Sequence, residues 1–340
     1  MPDDALPIIS LFCGAGGLDW GFRRERFKVL LACDNSLAAI NSYNLNSKRK
    51  TGRITDLSTL SADQLVSLMN DTTPGFEPAG VIGGPPCQGF SRGNARANPD
   101  DLRNLLPFRY AELLANLNAR YKIKFFVFEN VMGLLNRIHI NRFRAIEREF
   151  ESAGFNIFSH DLNALSFGVP QNRRRLFIVG LNSVLFPGVR FEFPKGRSRQ
   201  QCVRDAIEGL PAPAFFTRGL TEKDIPHHPN HWTMMPKSPK LGGETCSDGR
   251  SFRRLVWDRE SPTVAYGNRE IHVHPDGGRR LSVHEAMLLQ GFPPQYRLWG
   301  NFGQQVTQVC NAVPPPVARA LARRIKKTLS PDFLGDGKQG

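Results

Sequence analysis

Two apolar runs in this chain each stop at glycine, and that pattern restricts the fold more than any other feature. Ile8-Ile9-Ser10-Leu11-Phe12 runs into Cys13-Gly14-Ala15-Gly16-Gly17, and Gly80-Val81-Ile82 runs into Gly83-Gly84-Pro85-Pro86-Cys87. A short apolar run that ends at such a turn reads as a buried strand. Lys28 to Cys33 and Lys124 to Phe128 read the same way, as do Phe155 to Leu162 and Arg175 to Leu181. Helical patterns lie between them, through Ala38 and Tyr43, at Leu105 to Asn118 and near Arg142 to Ser152. Strands alternating with helices predict an α/β fold with a doubly wound, mostly parallel sheet. Such sheets bind ligands beyond the carboxyl ends of their strands, so the residues that follow these runs are the candidates for chemistry.

Cys87 sits in one of those turns, in Pro85-Pro86-Cys87-Gln88-Gly89-Phe90-Ser91. The prolines forbid a helix and leave the thiol on a stiff loop. A cysteine there is either a nucleophile or a small buried hydrophobe. The glycine turn after Phe12 leaves a helix N-terminus free to meet an anionic group, or it is a plain tight connection. It does not spell GxGxxG, and no GxxxxGK[ST] occurs. Asp34 closes the second strand, where it could accept from a ribose. Asp56, in Arg53-Ile54-Thr55-Asp56-Leu57, could do the same for a base edge. Either could equally be a helix N-cap. Glu129 follows four apolar residues, so partial desolvation should raise its pKa and let it hold a proton. In Gln171-Asn172-Arg173-Arg174-Arg175, strand alternation puts Arg173 and Arg175 on one face, suited to a phosphate, thiolate or carboxylate.

The formal net charge of +14 on 340 residues favours a polyanionic partner. Six cysteines form no CxxC pair, which argues against a disulfide framework or zinc module. His227, His228 and His231 are only loosely grouped, and no metal site is expected. No apolar run approaches the roughly 18 residues needed to span a bilayer. Met1-Pro2-Asp3-Asp4 lacks the regions of a signal peptide, so a cytoplasmic location is expected.

Taken in order, these segments resemble the DNA cytosine-5 methyltransferase family over nearly the whole chain. The carrying motifs are Leu11-Phe12-Cys13-Gly14-Ala15-Gly16-Gly17, the Pro-Pro-Cys-Gln loop at 85–88, Glu129-Asn130-Val131 and the Gln171 to Arg175 run. Late in the chain come Leu289-Gln290-Gly291-Phe292-Pro293 and Gln308-Val309-Cys310-Asn311-Ala312-Val313-Pro314-Pro315. The resemblance implies the class I S-adenosylmethionine-dependent methyltransferase fold, S-adenosylmethionine as methyl donor, and a cytosine flipped out of double-stranded DNA. It makes Cys87 the nucleophile at C6, and Glu129 the residue at N3 and the exocyclic amine. Arg173 and Arg175 become the residues that hold the base and its phosphate. By the same likeness Phe12, Gly14, Gly16, Asp34, Asp56, Pro86, Leu105, Asn311 and Val313 bind the cofactor, while Gln88, Ser91 and Thr263 contact DNA. This chain departs from the family's usual pattern at His284, where arginine is common, at Cys310, where glycine is common, and in the shorter carboxylate of Asp34.

Four segments are expected: a catalytic and cofactor-binding domain at 1–186, a target-recognition domain at 187–299, a returning segment at 300–330 and a flexible tail at 331–340. The segment from about 186 to 275, between the Gln171 to Arg175 run and Leu289, carries Arg197, Arg199, Arg218, Lys237, Lys240, Arg250, Arg253, Arg254 and Arg269. Some of these would neutralise phosphates, and a few would reach base edges. A monomer is expected, either solitary or paired with a restriction endonuclease that acts on the same site without a stable complex. The rival readings are a tRNA cytosine-5 methyltransferase and a catalytically inactive DNA-binding paralogue. The loop sequence and basic recognition region speak against the first, and the intact Cys87, Glu129, Arg173 and Arg175 against the second.

Overall fold

A computed structural model gives the structure of the chain, and it describes residues 5–86, 102–196, 200–238, 241, 253–263 and 272–330. The first half alternates strand and helix: β1 (Leu6–Leu11), α1 (Gly17–Arg24), β2 (Phe27–Asp34), α2 (Leu37–Leu45), β3 (Gly52–Ile54), α3 (Ala62–Thr72) and β4 (Gly80–Gly83). Next come α4 (Leu106–Tyr121), β5 (Phe125–Val131), α5 (Ile140–Ser152), β6 (Phe155–Asn163), β7 (Gln171–Asn172) and β8 (Arg174–Asn182).

Seven of these strands form one sheet in the order β3-β2-β1-β4-β5-β8-β6. The pairs from β3 through β5 are parallel, while β8 runs antiparallel to both β5 and β6. The inner strands β1, β2, β4, β5 and β8 are largely buried on both faces, as a sheet covered on both sides requires, while the edge strands β3 and β6 are partly exposed. Ile9, Leu11, Phe126 and Phe128 face α3, α4 and α5 in one core. Their strand neighbours Ile8, Phe125 and Val127 face α1, α2 and a helix from the far end of the chain in the other.

That distant helix is α9 (Pro315–Thr328). It and the residues just before it pack so closely on α1 that Gly17 and Gly21, one turn apart, have no room for a side chain. A Cβ on Gly21 would fall 2.5 Å from the Ala318 Cβ, and one on Gly17 would overlap the Val313 carbonyl oxygen.

Beyond the sheet the described elements are short: α6 (Val203–Ile207), β9 (Ala214–Phe215), β10 (Trp232–Thr233), β11 (Ser261–Pro262), α7 (Val283–Leu289) and α8 (Phe302–Asn311). Strand β11 pairs with β7, and β9 with β10. A third core gathers Val203, Leu255, Leu281, Met287, Phe292, Tyr296 and Val306 around Ala15 of the first turn. Helices α3 and α8 were not foreseen, although Ser61 with Gln64 and Asn301 with Gln304 form capping boxes that announce them. Among the described residues no helix is long and apolar enough to cross a membrane.

Candidate active site

The carboxyl ends of β1, β2, β4 and β5 lie at one edge of the sheet, and Phe12, Gly14, Gly16, Asp34 and Glu129 stand there. The turn after β1 is backbone-strained: Phe12 (φ 55°) and Gly14 (φ 54°) both take left-handed conformations, as does Gly16 (φ 89°). Left-handed phenylalanine is unusual, and such strain clusters at ligand sites. Asp34 ends β2 and ties this turn down. Its Oδ2 accepts from the Gly14 N–H and its Oδ1 from the Ser36 N–H, both at 2.9 Å. Burial raises its pKa, and those two hydrogen bonds oppose the rise.

Asp56 lies two residues beyond β3 and is exposed. Its Oδ1 accepts from the Ser58 N–H at 2.9 Å and the Ser58 hydroxyl at 2.6 Å, which hold its carboxyl below the usual range. Leu105 and Asn311 are also exposed, whereas Val313 is buried against α1. Pro86 is exposed at the end of the described part of its loop. Cys87, Gln88 and Ser91 lie outside the described residues, as do Arg197, Arg199, Lys240, Arg250 and Arg269.

Glu129, near the end of β5, is buried beneath that loop. A Cβ on Gly84 would fall 2.8 Å from its Oε2, so the glycine makes space for the carboxyl. The next side chain, Asn130, donates to the Pro85 carbonyl at 3.5 Å. Arg175 reaches Glu129 with its Nε 3.4 Å from Oε1. Burial pushes the Glu129 carboxyl up, and the charges of Arg175 and Arg173 pull it part of the way back. Arg173 falls in the break between β7 and β8, buried, and its Nη2 donates to the Cys310 carbonyl at 2.8 Å. Between them Arg174 points outward and pairs with Asp161. Thr263 donates its hydroxyl to the Asn172 carbonyl at 2.8 Å, which seats it beside the same arginine run.

Residues given no role in the sequence reading hold this turn and its helix together. Asp19 is fully buried and accepts from the Ser10 hydroxyl at 2.9 Å and from the Tyr43 hydroxyl at 3.1 Å. Tyr296 donates to the Ala15 carbonyl. No group of three or more His, Cys, Asp or Glu among the described residues is arranged to hold a metal ion.

A seven-stranded sheet with an antiparallel β8 inserted beside β5, and a glycine turn after β1, defines the class I S-adenosylmethionine-dependent methyltransferase fold. The sequence profile of the family described as C-5 cytosine-specific DNA methylase matches residues 6–327, and the chain belongs to that family. It is a DNA (cytosine-5)-methyltransferase. It is 32% identical to the Type II methyltransferase M.MthTI of Methanothermobacter thermautotrophicus, over 95% of this chain and 98% of that protein. It is 29% identical to M.FnuDI of Fusobacterium nucleatum, over 96% and 95% respectively. Among solved structures, a DNA modification methyltransferase encoded within an Escherichia coli prophage superposes with a TM-score of 0.76 at 25% identity, covering 96% of this chain and 99% of that one. The Entamoeba histolytica methyltransferase EhMeth shares the fold at 14% identity, with a TM-score of 0.68, a coverage of 96% of this chain and 99% of its own.

Proposed function

We propose that this chain methylates C5 of a flipped-out cytosine in a specific duplex DNA sequence, through a covalent bond between Cys87 and C6, as a cytoplasmic modification enzyme of the type II restriction–modification kind. The observation that carries this reading is the pairing of Arg175 with the buried Glu129, whose carboxyl is seated against Gly84 at the root of the loop that bears Cys87.

The target base leaves the helix because its reacting atoms are out of reach inside the stack. The Cys87 thiolate attacks C6, and the C5–C6 π electrons move into the ring, which makes C5 nucleophilic. Glu129 holds N3 and the exocyclic amine, and its proton offsets the charge that develops there. Burial moves its pKa in the direction this role needs. Arg173 and Arg175 hold the base and its phosphate and favour the thiolate. S-adenosylmethionine, when bound, supplies an electrophilic methyl group. Loss of the C5 proton to water then restores the C5–C6 double bond and expels the sulfur.

The turn after β1 fits such a donor. A Cβ on Gly14 would meet nothing within 4 Å, so the space above it is open. Asp34 spends one lone pair of each oxygen on the backbone and keeps others for ribose hydroxyls. Leu37 and Ile54 expose apolar surface close to it, Ile54 as the strand partner of Asp34. We assign the donor to Phe12, Gly14, Gly16, Asp34, Asp56, Pro86, Leu105, Asn311 and Val313. Target recognition is assigned to 187–299, with Gln88, Ser91 and Thr263 as further DNA contacts.

Transfer of labelled methyl from S-adenosylmethionine to unmethylated duplex DNA, with bulk tRNA alongside, tests the proposal. 5-Methyldeoxycytidine from DNA alone is the expected product. Label in tRNA alone, or none in a library holding every short target sequence, would overturn it.

A further inference from the structure

Residues 296–299 bind three separate parts of the molecule. Tyr296 is buried and gives its hydroxyl proton to the Ala15 carbonyl, at the centre of the strained turn. Arg297 exchanges backbone bonds with the Asn46 side chain beyond α2, at 3.0 and 2.7 Å, and the Trp299 N–H meets the Ser42 hydroxyl at 2.7 Å. From the other side Asn230 clasps Leu298, giving and receiving one hydrogen bond, each of 2.8 Å. Asn230 also accepts from the His284 N–H at 2.8 Å, so it belongs to the region that follows the sheet.

The turn itself is closed in from two directions. A Cβ on Gly16 would fall 2.8 Å from the Tyr43 ring and 3.1 Å from the Tyr296 oxygen. Left-handed residues on either side of Ala15 leave its carbonyl without a helical or strand partner. A carbonyl so placed is held where it is by whatever donates to it. Burial raises the Tyr296 hydroxyl's pKa, so the proton it donates stays in place.

We infer that Tyr296 is a positioning residue for S-adenosylmethionine: it fixes the Gly14–Ala15–Gly16 backbone in its binding conformation and ties that conformation to the 230–299 region. The inference rests on the placement of the donor over this turn. It concerns affinity for the donor, since the hydroxyl of Tyr296 bonds to the turn at Ala15 and not to Glu129, Arg173 or Arg175.

Tyr296→Phe removes the hydroxyl and keeps the ring that packs on Phe292 at 4.9 Å. S-adenosylmethionine should bind it roughly fivefold more weakly by calorimetry, the scale of one lost hydrogen bond. Its kcat at saturating donor and its KM for DNA should match the parent enzyme. A donor Kd within twofold of the parent would overturn the inference, and so would kcat and the KM for DNA worsening in step with a lower Tm. Asp34→Ala, measured alongside, marks the underlying reading and should weaken the donor more than tenfold. If it does not, the placement of the donor falls and the role of Tyr296 falls with it. If it does while Tyr296→Phe binds normally, only the role of Tyr296 falls.

Discussion

Glu129 and Arg175 meet across an antiparallel strand pair as diagonal neighbours. Glu129 stands opposite Phe177 on β8 and Arg175 opposite Val131 on β5, which puts Nε and Oε1 3.4 Å apart on one face. The guanidinium stabilises the ionised carboxylate, burial disfavours it, and burial prevails. Glu129 therefore keeps its proton to higher pH than an exposed glutamate. The limb of kcat/KM that depends on this proton should decline as pH rises through the elevated pKa. Glu129→Gln should remove that limb and slow methylation by at least about a hundredfold, the scale of a lost general acid. Rates across a pH series for both proteins decide it.

Cys87→Ser should abolish turnover and retain DNA binding, because the serine hydroxyl is a far weaker nucleophile at neutral pH. Methyl transfer and gel-shift affinity, measured on the same preparation, test this. Normal methylation by the variant would remove the covalent step.

Gly21→Ala should lower stability by about 1–3 kcal/mol, the usual cost of overpacking. The expected sign is informative, since alanine ordinarily stabilises a helix interior by roughly 0.5–1 kcal/mol over glycine. Here the added methyl meets Ala318 and the backbone of α9. Thermal unfolding reads the difference, and an unchanged or higher Tm would show that the two helices can separate without loss.

Acid should destabilise the fold earlier than its carboxylates require. His284 stacks on His228 at 3.9 Å, with His227 and His231 beside them. Burial, reinforced by the neighbouring histidines, lowers His228 from 6.5 to about 4 and His284 to about 3; burial takes His272 to about 4 as well. Between those values and 6.5 the unfolded chain binds more protons than the folded one, so stability rises with pH through that window. The contribution is complete above pH 6.5 and lost as the pH falls toward 4. Denaturant midpoints from pH 7 to pH 4 should drop steadily, and more gently in His284→Gln.

DNA affinity should fall steeply with added salt, as phosphate neutralisation by a chain of net charge +14 requires. A titration series between 50 and 200 mM, as in roughly the range where such contacts lose most affinity, measures the slope. A flat response would disconnect the charge from DNA binding.

Much of the sheet could be read directly because its strands are buried on both faces and end at glycine or a carboxylate. Glu129 and Asp34 stood out for that reason, each polar at the close of an apolar run. Arg173 was harder, since its neighbours Arg174 and Arg175 look identical to it in sequence, while one is buried, one pairs outward with Asp161 and one faces Glu129. The capping boxes at Ser61 and Asn301 were legible signals for α3 and α8. Tyr296 was not legible. Its partner Ala15 lies 281 residues away, and no local pattern records a contact of that span.

The seating of α9 on α1 also bears on how the chain is made. Arg319 pairs with Glu25 across 294 residues, and Val317, Leu321 and Ile325 join the same core as Ile8, Leu18 and Phe22. During synthesis, the ribosome releases α1 and β1 long before the helix that covers them. One face of the nascent sheet thus stays wet and adhesive until nearly everything else has emerged, the condition under which partly folded chains aggregate. Long-range closure of this kind also slows folding. Growth at low temperature, or chaperones that shield the growing chain, should therefore raise the soluble yield of the protein more than they change the activity of each folded molecule.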